Sequence, residues 1–272
     1  MPLSAATVIS ARHFLLRGLL AGLVAGILAF GVAYAVGEPS VRTSIAIEES
    51  GGSGHVHADE PAATGSGEEP AEETGTVVPR SLQSTVGLLT ATSVAGVTLG
   101  GLLGVVSALA LGRFGRLRVR ATTLLVTGVG FATVYVLPFL TYPPNPPAVG
   151  HSDTIGYRTG LYFTMVAIAV VAGVTALLVG RRLAARWGAW YSGLACVAGF
   201  ILVTLVASGL LPRYDEVPED FPASVLYSFR RASFLTELTL WSVLGVTLSE
   251  LAHRLTARST PVERRTLAEA RR

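Results

Sequence analysis

The chain of 272 residues contains no lysine. That excludes a lysine-bearing phosphate loop and any catalytic lysine Schiff base. If ATP drives this protein, another subunit must bind it. Cys196 is the only cysteine, so no intrachain disulfide and no thiolate metal cluster can form. Charged residues make up only 14% of the chain while 50% are hydrophobic. A water-soluble fold of that composition would expose large apolar patches. The five histidines are scattered, no His-Glu-x-x-His pattern occurs, and no other catalytic constellation stands out, so an enzyme is not expected.

What the chain does have is long apolar runs. A spanning helix needs roughly 20 predominantly apolar residues. Six stretches meet or approach that length: Phe14–Val36, Val86–Leu111, Ala121–Leu140, Leu161–Gly180, Ala189–Leu211 and Phe234–Leu251. The last is the weakest, since it carries Glu237 and ends at Glu250. The first resembles a signal peptide, with arginines ahead of it and Ala33-Tyr34-Ala35 near its end. Its apolar run from Gly18 to Val36 exceeds the usual signal core of about 7–15 residues, which favours a span. The expected fold is an all-α integral membrane protein, one membrane domain over residues 1–272, built as a bundle of six transmembrane helices.

The arginines orient this bundle. Arg12 and Arg17 precede the first span; Arg113, Arg116, Arg118 and Arg120 fill the second connection; Arg181, Arg182 and Arg186 fill the fourth. Arg254, Arg258, Arg264, Arg265, Arg271 and Arg272 follow the last. Basic residues in short loops stay cytoplasmic. Both termini are therefore expected to be cytoplasmic, with a basic tail at 255–272 and the first, third and fifth connections outside. Arg230 and Arg231 conflict with the pattern; snorkelling to outer headgroups or pairing with acids would accommodate them. The formal net charge of +3 resides on arginines flanking spans, which points to membrane lipid and not to nucleic acid.

Glycines four apart share a helical face and permit close backbone approach. Gly18, Gly22 and Gly26 show this spacing in the first span, and Gly96, Gly100 and Gly104 in the second. They are expected either to pack the two spans face to face or to build a homo-oligomer contact.

The first outer connection, 37–85, is rich in Gly, Ser, Ala, Pro and Glu and poor in large apolar residues. Such a segment is expected to be a long flexible acidic loop. It contains His55-Val56-His57-Ala58-Asp59-Glu60. In an extended chain His55, His57 and Asp59 point the same way, and a turn brings in Glu60. Imidazole with carboxylate suits divalent Co, Ni, Zn, Fe or Cu; a solvated histidine pair is the other reading. The second outer connection is stiffened by Pro143-Pro144-Asn145-Pro146-Pro147 and carries His151, Asp153 and Arg158. The third carries Asp215, Glu216, Glu219 and Asp220. Asp220 before Phe221-Pro222 reads as a helix cap, and Ser224–Arg231 as a stretch lying along the outer interface. His151, Asp153, Arg158, Asp215 and Glu216 form an additional candidate outer-loop site, with solvated charge as the alternative. Inside the last span, Glu237 is a candidate for an ion path, because ionisable groups in spans are expensive and face the bundle interior. Pairing with Arg230 or Arg231 is the competing role. Glu250 is expected to pair with Arg254 at i+4.

These outer segments together resemble the CbtA family of proposed cobalt transporter subunits. The resemblance rests on the His55–Glu60 motif followed by Pro79-Arg80-Ser81-Leu82-Gln83-Ser84-Thr85, and on Pro138-Phe139-Leu140 through the double-proline segment to Thr154-Ile155-Gly156-Tyr157-Arg158-Thr159. A third segment is Val217-Pro218 through Asp220-Phe221-Pro222-Ala223 and Phe229-Arg230-Arg231-Ala232-Ser233. The resemblance implies uptake of cobalt for cobalamin synthesis across a bacterial cell (inner) membrane. It also implies a small single-span CbtB-like partner. No tightly bound cofactor is expected; the metal, Co2+ ahead of Ni2+, is cargo. The alternative is a non-conducting accessory or scaffolding membrane protein that binds a partner subunit.

Overall fold

The computed structural model describes residues 5–52, 79–113 and 117–269. Every regular element among them is helical. Five helices are long and apolar enough to cross a membrane: α1 (Ala11–Ser50), α2 (Arg80–Ala110), α3 (Val119–Thr141), α4 (Ile155–Leu210) and α5 (Ala223–Ala257). Apolar side chains such as Leu20, Val94, Leu102, Leu202 and Leu205 stand exposed on their outer surfaces. In water such a surface would associate; against acyl chains it is the expected exterior.

Two stripes of small residues on α1 build the core. Gly18, Gly22 and Gly26 meet Gly96, Gly100 and Gly104 of α2 backbone to backbone. A methyl group at Gly26 would stand 2.5 Å from the Thr92 carbonyl oxygen, and one at Gly104 2.5 Å from that of Phe14. At Gly18 and Gly22 it would overlap the carbonyls of Gly100 and Gly96. With lipid as solvent, association comes from such close van der Waals packing and not from apolar burial. Ala21, Ala25 and Ala29 form the neighbouring stripe, fully buried with Leu240, Trp241, Leu244 and Leu248 of α5. α3 then packs on α5, where Phe131 meets Trp241 and Arg120 pairs with Glu250 at 2.6 Å. Glu250 also takes Arg254 at 2.8 Å, the i+4 pair expected from spacing.

α4 is 56 residues long and broken once. Gly188 has φ 76° and ψ 163°, outside helical geometry. Only glycine adopts that region without strain. The arms 155–187 and 189–210 fold back on each other. A methyl at Gly180 would lie 3.1 Å from Cys196 Sγ, and one at Gly173 3.7 Å from the Phe200 ring. The connection holding Arg181, Arg182 and Arg186 is therefore helical up to the single break.

Three expectations need correction. The first connection is not loop from residue 37: helix continues over Glu38–Gly52 after a π-helical turn at Ala33–Gly37. Composition hid this because the buried positions are Glu38 and two small hydroxyls instead of large apolar side chains. Ser40 and Ser44 are buried and return their hydroxyl hydrogens to the Gly37 and Ser40 carbonyls, which removes the penalty of burial. Ser224–Arg231 is not a separate interfacial stretch but the first turns of the helix that forms α5, which runs Ala223–Glu269 into the basic tail. Asp220 does not cap it: that helix starts at Ala223, and Pro222 O accepts from the Val225 and Leu226 amides.

Candidate functional site on the outer face and behind it

Two of the connections expected to lie outside, those after α3 and after α4, fold into a clamped platform. Tyr142 stacks on Tyr214 with ring centroids 5.4 Å apart, and its hydroxyl donates to Pro212 O at 2.8 Å. This ties the end of α3 to the segment after α4. Arg230 Nη2 donates to Asn145 Oδ1 at 2.9 Å and its Nε to Pro144 O at 3.3 Å. The arginine that conflicted with the charge pattern thus holds the double-proline segment, whose Pro146 is fully buried. Its neighbour Arg231 lies over the Tyr227 ring at 5.9 Å.

Glu216 is the hub of this platform. Its carboxylate accepts the His151 backbone N–H at 3.1 Å and faces Arg158 Nε at 3.4 Å. Arg158 Nη2 in turn donates to His151 O at 3.1 Å. The Thr154 hydroxyl, then the His151 amide and the Arg158 guanidinium, hold the Glu216 carboxyl below its usual range. Gly150 permits the arrangement: its φ is +105°, and a methyl there would sit 2.5 Å from Arg158 Nη1 and 2.8 Å from Glu216 Oε2. A second clamp joins α1 to α2. Buried Glu38 takes Arg80 Nη2 on both oxygens at 2.9 and 3.0 Å and Arg42 Nε at 3.2 Å.

Of the outer-loop candidates, the structure brings together His151, Arg158 and Glu216, with His151 taking part through its backbone. Asp153 is exposed, and Asp215 accepts the Val217 amide at 3.2 Å. Among the described residues no three of His, Cys, Asp and Glu converge to hold a metal ion. His55, His57, Asp59 and Glu60 lie outside the described residues.

Behind the platform, inside the bundle, lies Glu237. It is not paired with Arg230 or Arg231; Trp241 Nε1, one turn further along α5, donates to its Oε2 at 3.1 Å. Tyr135 and Tyr162 are within electrostatic reach of the carboxylate. The Tyr135 hydroxyl is buried with no hydrogen-bond partner among the described residues, while Tyr162 donates to Val134 O at 3.4 Å. Tyr135 belongs to a π-helical turn, Phe131–Val136, a distortion that proteins place at functional positions. Phe131, Phe139 and Phe234 pack round the Tyr135 ring at centroid separations of 5.4–6.3 Å, and Trp241 meets Phe131 at 5.8 Å. The hydroxyls beside Glu237 in sequence are not its partners; Thr239 bonds back to Leu235 O. Sequence reading missed Tyr135, Tyr162 and Trp241. Only Trp241, at i+4 from Glu237, left a local signal.

A model of the family described as "Probable cobalt transporter subunit (CbtA)" matches residues 11–253. The chain belongs to the CbtA family. The matched region takes in the glycine seam, the outer platform and Glu237. Searches of curated proteins and of solved structures give no match. Family membership and five span-length helices make this a multi-pass membrane protein of a transport system, and a subunit by description, hence a protein with partners.

Proposed function

We propose that this chain is the membrane subunit of a divalent metal-ion uptake system, carrying Co2+ for cobalamin synthesis across a bacterial inner membrane. The observation that carries the reading is the family match over residues 11–253. Six crossings place both termini in the cytoplasm and the histidine-bearing loop outside. The Gly188 break and the return of Cys196 to Gly180 support counting α4 as two crossings, and the arginine distribution supports the orientation.

In this reading His55, His57, Asp59 and Glu60 capture the ion, and the platform of His151, Arg158 and Glu216 shapes the entrance without ligating it. The ion then passes the half-buried Glu237 carboxylate. An inside-negative potential supplies roughly 2.3 kcal/mol per charge per 100 mV, about twice that for a divalent ion, so uptake needs no ATP site in this chain. A small single-span CbtB-like subunit, or a second copy, completes the path, since the spans themselves offer few ligands.

Purified protein in liposomes, tested for Co2+ uptake under an inside-negative potential with and without the small subunit, tests this. Uptake above empty liposomes is expected in at least the two-component case. Uptake equal to empty liposomes in both cases would leave the accessory, non-conducting role. Alanine at His55 and His57 is expected to weaken Co2+ binding; unchanged affinity would remove them as ligands.

A further inference from the structure

Between α3 and the two arms of α4 runs an open groove of about 790 Å³. Leu125, Val129, Gly173, Val197 and Phe200 are among its walls, and Arg113 and Arg181 line it too. Arg113 follows the end of α2 and Arg181 stands near the α4 break, so both belong to the same end of the bundle. Arg113 is itself anchored, donating to the Leu109 carbonyl. α4 is the least buried of the five span-length helices, and its hairpin meets the rest of the protein across this groove.

An apolar groove alone would take any passing acyl chain. Two guanidinium groups from different connections at one mouth add charge complementarity. We propose that the groove binds one anionic phospholipid, with an acyl chain between α3 and the α4 hairpin and its phosphate paired with Arg113 and Arg181. Guanidinium groups pair with phosphate through two parallel hydrogen bonds. A zwitterionic lipid offers the same phosphate but brings its own cation to the arginines. The leaflet, cytoplasmic, rests on the orientation proposed above; the site does not. Basic pockets between spans are a recurrent mode of anionic headgroup recognition, and two such arginines give about a thirtyfold preference. The lipid acts as a wedge that covers the inner side of the hairpin.

Native mass spectrometry of the detergent-solubilised full chain, titrated with phosphatidylglycerol or phosphatidylcholine of identical chains, reads lipids bound one at a time. The first phosphatidylglycerol is expected to bind about thirtyfold more tightly than the first phosphatidylcholine, with later lipids unselective. Arg113→Gln with Arg181→Gln should bring the ratio to about one, while Arg186→Gln, outside the groove, should keep it. If the double variant fails to fold, Gly193→Leu decides. Gly193 lines the groove, and an added Cβ there meets nothing within 4 Å, so leucine should fill the groove and abolish the selective first binding. Equal binding of the two lipids, a preference that survives the double or the leucine variant, or an equal loss in Arg186→Gln would overturn the site. Displacement of the first lipid by inorganic phosphate would also overturn it in favour of a plain anion site.

Discussion

At the scale of single residues, the two carboxylates of the candidate site behave differently. Glu237 sits in an apolar, aromatic surrounding and takes one hydrogen bond from Trp241. A glutamine there keeps an acceptor for the indole but removes the charge a cation would meet. Glu237→Gln is expected to leave the fold intact and to cut Co2+ uptake by about tenfold or more, a barrier change of about 1.4 kcal/mol. Unaltered uptake at every pH would remove Glu237 from the path. Glu216 is the opposite case. Its carboxyl is held below the usual 4.5, so it contributes stability above the ordinary carboxylate value and loses that contribution as pH falls through its lowered value. Protection of the His151 amide against hydrogen exchange is expected to drop below about pH 4.5 in the wild type. In Glu216→Gln it should be weaker at neutral pH and flat across the acid range. Neither tyrosine beside Glu237 could be read from the sequence, because Tyr135 and Tyr162 come from other helices. The Glu250–Arg254 pair could be, because four residues along one helix fix the geometry.

At the scale of elements, the glycine seam and the Gly188 break make opposite demands on glycine. In the seam, conformational freedom is irrelevant and space decides. Gly22→Leu or Gly100→Leu drives a side chain into a facing backbone, and backbone cannot move as a side-chain tip can. Either should destabilise the protein by about 3 kcal/mol or more, at the upper end of overpacking costs, read as a fall in thermal midpoint in detergent. Gly31 is the control in α1, with nothing within 4 Å of an added Cβ; Gly31→Ala should stabilise by about 0.5–1 kcal/mol. At Gly188 space is open and conformation decides. Gly188→Ala should cost about 1–3 kcal/mol and loosen the α4 hairpin, seen as faster exchange over residues 181–192. Span positions were legible because apolar length is a property of the chain itself. Where helices end was less so. Glu38–Gly52 is helical because it docks through buried serines and because Glu38 meets Arg80, 42 residues away, and neither fact has a local signature. The Gly188 break was legible as a boundary between apolar runs, but not as a single residue within continuous helix.

At the scale of the whole molecule, α1, α2 and α5 form a close-packed trio sealed by small residues, with α3 on α5 and the α4 hairpin outermost. The outer platform bridges the two parts: Tyr142 on Tyr214 and Arg230 on Asn145 join α3, the end of α4 and α5. Such a plan leaves the hairpin with less of its surface covered by the rest of the described chain than any other span-length helix. The proposed metal capture, entrance and direction of transport all rest on six crossings and an exterior histidine loop. Labelling tests them most directly. In a Cys196→Ser background, a cysteine introduced at position 58, beside His57, is treated in intact cells with a membrane-impermeant thiol reagent. Labelling of the intact cells is the expected result; labelling only after the cells are broken open would contradict it.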